Sequence, residues 1–498
     1  MTATAERAAD ALARYEAVIG IEVHCQLRTA SKMFCACSTQ YDGAVPNTHC
    51  CPVCLGLPGA LPVMNRAAVE HVIATGLAIE AEIPARTQWE RKNYFYPDLP
   101  KGYQISQYAI PLAAHGRLPI ETSAGPFVVD ITRAHLEEDT AKLVHGDAPS
   151  ATGGRTSLVD FNRSGAPLME IVTEPCLRTA EQARRYAEEL QLLLRAIGVS
   201  DADMERGQMR VEANVSLRPR GTEPFGTRVE VKNMNSFRAV ERAIAFEIDR
   251  QATALDAGEA LQMETRGWDD GRQATYHMRS KETSEDYRYF PEPDLPPLRV
   301  DAAWIDAVRE RLPELPAARR ARYVDGGITP YDAIVIVADP GMTGAFEAIA
   351  AAGGRGLPAK EVANFVTGAH ARAAKETGLN ERGTTGASNP ADLAALLAAI
   401  AAGRVGRPIG RELLDRHMAD GTPAADLLAT TASTISDDAA LLAHVDAVIA
   451  ANPRAVADYR SGKPVAGFFV GQVMKATGGA ADAAKVTALV RARLDGEA

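Results

Sequence analysis

No apolar run in this chain approaches the roughly 18 residues that a membrane-spanning helix needs; Ala333 to Ala338 is a short one. Met1 to Arg14 lacks the apolar core of a secretion signal, so a reducing cytoplasm is the expected compartment. Positive charge is not in excess either. The 54 Lys and Arg stand against 64 Asp and Glu, a net charge of −10, which argues against indiscriminate binding to nucleic acid across a whole face. Local basic patches remain compatible with a specific nucleic-acid partner. There is no P-loop and no Gly-x-Gly-x-x-Gly after a strand, so any nucleotide must be held by side chains and metal on a sheet rather than by a glycine-rich loop. Gly353-Gly354-Arg355-Gly356 reads as a connection between helices.

Cysteine is scarce, with 7 in 498 residues, yet four of them fall in two short pairs, Cys35-x-Cys37 and Cys51-x-x-Cys54. Each pair fits one tight turn, and the flanking Pro46, Asn47, Pro52 and Gly56 supply turn residues. Two such turns bring together the four soft ligands that tetrahedral zinc requires at about 2.3 Å. In a reducing compartment clustered cysteines bind metal more often than they pair. His49 and Cys50 lie beside the set and can replace a ligand, whereas Cys25 and Cys176 are isolated and read as packing residues.

An apolar content of 46% over this length supports several domains, each with its own core. Up to about residue 300 short strand patterns alternate with long helices; beyond it Ala-rich helical pattern dominates. Tyr15 to Leu27 alternates Ile19, Ile21, Val23, Cys25 and Leu27 with Glu22, His24 and Gln26. Gln208 to Arg218 repeats this, with Met209, Val211, Ala213, Val215 and Leu217 on one face, and Val229 and Val231 mark a third strand. Asn65 is placed to cap a helix reaching about Ala78, and Thr179 with Gln182 forms a capping box for one ending at Gly198. Asp269-Asp270-Gly271 signals a hairpin. The expected fold is α+β, a mainly antiparallel sheet backed by helices on one face and followed by helical regions. Thr377 to Asn389 reads as a loop in the helical half, and Gly403 to Gly410 as a second boundary, giving domains 1–300, 301–405 and 406–498.

The polar strand faces carry the candidate chemistry. Glu22 and His24 project to the same side about 6.7 Å apart along their strand, and both can reach one ion. Arg133, His135 and Glu137 alternate in a strand-like run that ends at Glu138, and Glu170 falls in another, Pro167 to Glu174. Carboxylates grouped with a histidine favour a hard divalent cation of the kind that serves phosphate groups. Arg91-Lys92-Asn93-Tyr94-Phe95-Tyr96-Pro97 and Lys101-Gly102-Tyr103 mix cations with aromatics, as suits a nucleotide or a single-stranded acceptor end.

Gly20-Ile21-Glu22-Val23-His24, the block Arg91 to Gln107, His135-Leu136-Glu137-Glu138-Asp139 and Asp286-Tyr287-Arg288-Tyr289-Phe290-Pro291-Glu292-Pro293-Asp294 together resemble the GatB family, the B subunits of tRNA-dependent amidotransferases. The resemblance runs into the tail through Gly462-Lys463, Ala466-Gly467-Phe468-Phe469-Val470-Gly471-Gln472 and Met474-Lys475. It implies a glutamine-synthetase-like cradle, then an all-α helical domain and a YqeY-like helical tail. It further implies ATP-dependent amidation of mischarged Glu-tRNA(Gln) or Asp-tRNA(Asn), a carbon–nitrogen ligase reaction in protein biosynthesis with glutamine as amido donor. The side-chain carboxylate is first phosphorylated, because a carboxylate is a poor electrophile, and magnesium aligns ATP with it.

Carried over residue by residue, Glu22, His24, Glu138 and Glu170 match the family's Mg2+ positions. Glu137, Lys92 and Glu212 match catalytic ones, with Lys92 on phosphate charge and Glu212 standing where the family more often has Asp. The resemblance makes the zinc on Cys35, Cys37, Cys51 and Cys54 structural. It assigns tRNA contacts to Lys463, Lys475, Arg404 and Arg407. The chain has no Ser-Gly-rich amidase signature, so the resemblance implies a heterotrimer in which an A subunit supplies ammonia from glutamine and a small C subunit ties the assembly together.

Overall fold

Alternating burial makes β1 (Tyr15–Gln26) a two-faced strand: Ile19, Ile21, Val23 and Cys25 are buried while Glu22 and His24 face the other way. The computed structural model describes residues 3–149, 155–280, 287–380, 383–430, 437–478 and 481–496. Asp286 of the Asp-Tyr-Arg-Tyr-Phe motif lies outside these. The chain divides into two units, Met1–Leu315 and Pro316–Ala498.

After β1 the first unit continues through β2 (Arg86–Thr87), β3 (Glu90–Asn93), β4 (Tyr103–Ser106), β5 (Ala113–Thr122), β6 (Gly125–Glu138), β7 (Lys142–Pro149) and β8 (Arg155–Asp160). Then come β9 (Pro167–Thr173), β10 (Met209–Pro219), β11 (Val229–Met234), β12 (Glu264–Asp269), β13 (Ala274–Ser280), β14 (Phe290–Pro291) and β15 (Leu298–Arg299). Eight strands form the main sheet in the order β13-β12-β11-β10-β1-β9-β6-β5. Every neighbouring pair is antiparallel except β11 and β12. A parallel pair needs a long crossover, and a 20-residue helix between β11 and β12 supplies it.

That crossover is one of five helices among the described residues of the unit: α1 (Ala3–Arg14), α2 (Arg66–Ala78), α3 (Ala180–Ala196), α4 (Phe237–Asp256) and α5 (Ala302–Arg309). Asn65 caps α2 by accepting from the Ala67 and Ala68 amides, Thr179 and Gln182 form the capping box of α3, and Ser236 caps α4. The buried faces of α2, α3 and α4 join the apolar sheet face in one core that includes Val72, Ile73, Tyr186, Leu190, Ile244 and Ile248. Each fully buried Ile, Leu or Val contributes about 1.5–3 kcal/mol of transfer free energy. This leaves the opposite, polar face free for a site. No sequence pattern pointed to α1. It seats Ala8 and Ala11 in the core and ties Arg7 to Asp249 at 2.9 Å and Arg14 to Asp256 at 2.8 Å on α4.

Outside the main sheet, β14, β3 and β4 form a small sheet, β15 pairs with β2, and β7 with β8. The second unit is helical. Its Ala333 to Ala338 run lies in the helix Pro330–Ala338, and no single helix among the described residues is long and apolar enough to cross a membrane. The helices Pro390–Ala401 and Arg407–Asp420 meet where Gly410 abuts Ile400, so the expected boundary at 405/406 falls between two helices in direct contact. A separate core, Leu441, Val445, Phe469, Val473, Val486, Val490 and Leu494, holds the last helices together.

Candidate functional site

Strand register builds the centre of the site. His24 of β1 stands opposite Arg210 of β10 on one side and Glu170 of β9 on the other, and Glu170 stands opposite His135 of β6. One rung thus carries Arg210, His24, Glu170 and His135 on the polar face. The next rung sets Glu22 between Glu212 and Val172. On β6, Glu137 follows His135 by one pleat.

The His24 Nε2 is the focus of this arrangement. It lies 3.5 Å from Glu22 Oε1, 3.5 Å from Glu137 Oε1 and 3.4 Å from Glu170 Oε2. Its Nδ1 is buried without a hydrogen-bond partner among the described residues. His135 Nε2 is 3.7 Å from Glu170, Arg133 reaches Glu170 at 3.6 Å, and Lys92 of β3 approaches Glu137 at 3.9 Å.

So many charges crowded together and largely buried titrate abnormally. Burial, then the Glu170 charge, pushes the Glu22 carboxyl up to about 7. Burial works against a charged His24, but the hydrogen bond to Glu170 and three surrounding carboxylates win and raise it to about 9. His135, buried without such an excess of anions, falls to about 3 and is a neutral imidazole at physiological pH. Burial opposes ionisation of Glu170, yet the hydrogen bond and charge of His24, with the charge of Lys92, hold it well below the usual carboxylate range. Burial raises Glu137, and its charge with that of Glu170 holds Lys92 firmly protonated despite burial.

Around this centre the cavity encloses about 980 Å³. Lys232 bonds Glu212 at 2.8 Å and nears Glu230 at 3.5 Å. Arg210 lies 3.4 Å from Asp139, a buried carboxylate that also accepts from Gln26 at 2.9 Å. Tyrosines wall the open side. Tyr108 stacks on Tyr289 with centroids 4.6 Å apart, Tyr287 meets Tyr289 and Tyr94 edge-on, and Lys92 sits 5.1 Å over Tyr287. Sequence reasoning did not assign Tyr108, Tyr287, Tyr289, Arg210 or Lys232 to the site. The one signal was the Tyr287-x-Tyr289 spacing just ahead of β14, which pairs with β3 beside Lys92.

As donors, Glu22, His24 and Glu170 form one tight group and His135, Glu137 and Glu170 a second, each with ligand atoms within 4.8 Å of one another. Oxygen and imidazole donors fit a hard or borderline divalent ion, and Glu170 is common to both groups. One expected Mg2+ ligand is not there. Glu138 is next to Glu137 on a pleated strand and therefore points to the other face, where it pairs with Lys101 and accepts from the Ile105 amide at 3.0 Å. Glu137, expected in a catalytic role, takes its place among the donors. Glu22, His24, Glu170, Lys92 and Glu212 all line the cavity.

The cysteines converge separately. The sulfurs of Cys35, Cys37, Cys51 and Cys54 lie within 4.8 Å of one another, with Cys51 and Cys54 3.8 Å apart. A hydrogen bond from Cys35, the Cys51 amide and the charge of Lys32 draw the Cys54 thiol down to about 4. The same hydrogen bond to Cys54 raises Cys35, and burial raises Cys37 to about 11. Four sulfurs at this spacing fit zinc. Cys50 instead donates to Asn47 O, and neither it nor His49 joins the group. The knuckle touches the sheet site through the loop before β9: Ser164 bonds Cys54 O at 3.1 Å, and Gly165 and Ala166 exchange backbone bonds with Asp139.

In the second unit Lys475 and Arg404 are exposed. Lys463 is held by Asp458 at 2.8 Å, and Arg407 makes a two-pronged bond to Glu361. Lys463 precedes the helix Ala466–Ala476 of the last core and Lys475 lies in its last turn, whereas Arg404 sits between the helices Pro390–Ala401 and Arg407–Asp420 and Arg407 opens the second of them.

Residues 17–306 match the family described as the GatB/GatE catalytic domain, and residues 344–494 match the GatB domain family. The B subunit of the aspartyl/glutamyl-tRNA(Asn/Gln) amidotransferase of Moorella thermoacetica is 50% identical over 483 residues, covering 96% of this chain and 100% of that one. Its counterpart in Anaeromyxobacter sp. strain K is 49% identical over 484 residues, 96% of this chain and 99% of that one. In Physcomitrium patens the chloroplastic/mitochondrial glutamyl-tRNA(Gln) amidotransferase has a B subunit that is 45% identical over 492 residues, 97% of this chain and 86% of its own.

Proposed function

The chain belongs to the GatB family, and from that premise we propose that its sheet cavity amidates the side-chain carboxylate of Glu-tRNA(Gln) or Asp-tRNA(Asn) in an ATP-dependent ligase reaction. The observation that carries this is the convergence of Glu22, Glu137 and Glu170 on one imidazole nitrogen, beside Lys92 and Arg210, in a cavity of about 980 Å³. Phosphorylating a carboxylate is a matter of alignment and charge neutralisation, and these residues provide both. Glu22, His24, Glu137 and Glu170 would hold Mg2+, which would supply neutralisation of phosphate charge. Lys92, kept protonated by Glu137, offers a fixed cation to phosphate oxygens. Arg210, braced by Asp139, is suited to orient a carboxylate or phosphate, and Glu212 holds Lys232 at the far wall. The tyrosine wall offers faces for a base to stack on and keeps water from the activated acyl group.

Ammonia comes in this scheme from an A subunit that hydrolyses glutamine, with a C subunit completing the heterotrimer. The four-cysteine zinc is structural. Residues 1–300 act as the catalytic cradle, 301–405 as a helical middle, and 406–498 as a tail that reads the tRNA body, with Lys463, Lys475, Arg404 and Arg407 toward phosphates. The test is amidation of each mischarged tRNA by the chain assembled with its A and C partners, with ATP and either glutamine or ammonium. Product that needs ATP and aminoacyl-tRNA is expected with at least one of the two; ATP turnover indifferent to tRNA overturns the proposal.

A further inference from the structure

Lys32 is one of the largest fully buried side chains, 0% exposed, on the turn between β1 and the cysteine knuckle. Its ammonium donates to the His49 carbonyl at 2.7 Å and the Phe161 carbonyl at 3.4 Å, and no carboxylate pairs with it among the described residues. A buried ammonium held only by carbonyl dipoles is strongly unfavourable, so an anion belongs close by. The adjacent groups able to carry negative charge are the knuckle's thiols. A Cβ built on Gly165 would stand 3.4 Å from the Cys54 Cβ and 3.6 Å from the Lys32 Cδ, so both side chains meet at that glycine. The carbonyl that Lys32 holds most closely belongs to His49, two residues before Cys51.

We propose that Lys32 is the buried counter-ion of the four-cysteine centre. This rests on the zinc reading above. Four thiolates on one Zn2+ leave two formal negative charges in a partly buried site. The hydrogen bond that the Cys51 backbone N–H donates to Cys54 Sγ at 3.0 Å spreads part of that charge, and Lys32 supplies a whole positive one. The pairing is mutual, because the loaded centre is also what makes a buried Lys32 tolerable. The two carbonyl bonds further tie the knuckle to the loop before β9, so Lys32 is a positioning residue for the metal centre.

The test compares Lys32→Met and Lys32→Gln with wild type in the full-length chain, reading zinc per chain and the rate of zinc release to a chromogenic chelator. Met keeps the stem and removes charge and donor; Gln removes the charge but keeps a donor for the carbonyls. Both should release zinc roughly 10- to 100-fold faster than wild type, the usual loss when a ligand's outer support is removed. If Met does not fold, Gln alone decides the matter. Wild-type release from Lys32→Gln overturns the proposal, since a hydrogen-bond donor then suffices without charge. A wild-type chain that carries no cysteine-bound zinc overturns the metal reading and the counter-ion with it, and is told apart by the wild-type metal content alone.

Discussion

The cysteine knuckle and the sheet cavity are both groups of donors converging on one point, but they are assembled in opposite ways. The knuckle draws its four sulfurs from residues 35 to 54, on turns that local sequence dictates. The cavity draws Glu22, Glu137, Glu170 and Glu212 from four strands whose order, β10-β1-β9-β6, differs from their order in the chain. On the proposed zinc reading the first is a local structure that its metal would hold closed; the second is a by-product of register, fixed by the core on the other side of the sheet. It follows that the knuckle should respond to loss of its metal by melting, and the cavity by losing function while keeping its shape.

The largest effect should therefore come from Cys54→Ser. Structural zinc supplies about 10 kcal/mol or more of local folding free energy, so this variant should lose zinc and expose the amides of the knuckle to hydrogen exchange, while those of β1, β9 and β10 stay protected. Full zinc content would show that the four sulfurs are not the ligand set, and loss of protection in β1 would show that the two regions are one cooperative unit.

Next in size is Glu138→Gln, which leaves Lys101 buried without its anion. Breaking such a pair costs about 3–5 kcal/mol, so denaturant unfolding should shift strongly while divalent-ion affinity is retained. If ion affinity falls as far as in Glu170→Gln, Glu138 belongs with the ligands after all.

A smaller, pH-linked effect sharpens the electrostatic side of the comparison. Without an ion, Glu22 titrates near about 7 and His24 near about 9, both above their ordinary values. Raised groups bind protons more tightly in the folded state, so their contribution to stability is present below the ordinary values and is lost as pH rises through about 7 and then about 9. An ion that uses both as ligands must displace those protons. Calorimetric titration with Mn2+ in buffers of different ionisation enthalpy should show proton release near neutral pH and affinity that climbs with pH. Binding without proton release would mean that Glu22 and His24 are not ligands. The smallest effects belong to the tail, where Lys475→Ala and Arg404→Ala should each lower the salt slope of tRNA binding by about 1. Unchanged slopes would move the tRNA-contacting face elsewhere.

Why one region was legible and the other only partly so follows from this contrast. The Cys35-x-Cys37 and Cys51-x-x-Cys54 spacings contain the knuckle almost entirely, and the structure adds only that His49 and Cys50 stand outside it. Alternation placed Glu22 with His24, and Met209 to Leu217 on the core face, because a strand's period is local. The same alternation sets Glu138 against Glu137, and it outranks the family-based expectation that made Glu138 a ligand. What no local pattern contains is register. Nothing near Glu170 says that it faces His24 and His135, and nothing near Tyr289 says that it stacks on Tyr108. The parallel pairing of β11 with β12 and the docking of α1 on α4 were hidden for the same reason: each is decided by what the opposite face must bury.

The central claim is that the carboxylates converging on His24 carry out activation of the aminoacyl-tRNA, and Glu170→Gln in the assembled complex tests it most directly. The substitution keeps size and the apolar face of the sheet but takes a carboxylate from His24 and Arg133, so amidation is compared at equal folded fraction, checked by circular dichroism. Amidation driven by ATP and free ammonium should fall by about a hundredfold or more, roughly 3 kcal/mol of transition-state stabilisation. Ammonium should not rescue it, because the lesion precedes ammonia attack, while basal glutamine hydrolysis by the partner subunit survives. Near-normal amidation by Glu170→Gln with ATP and ammonium would contradict the account and reduce the cluster to buried polar packing.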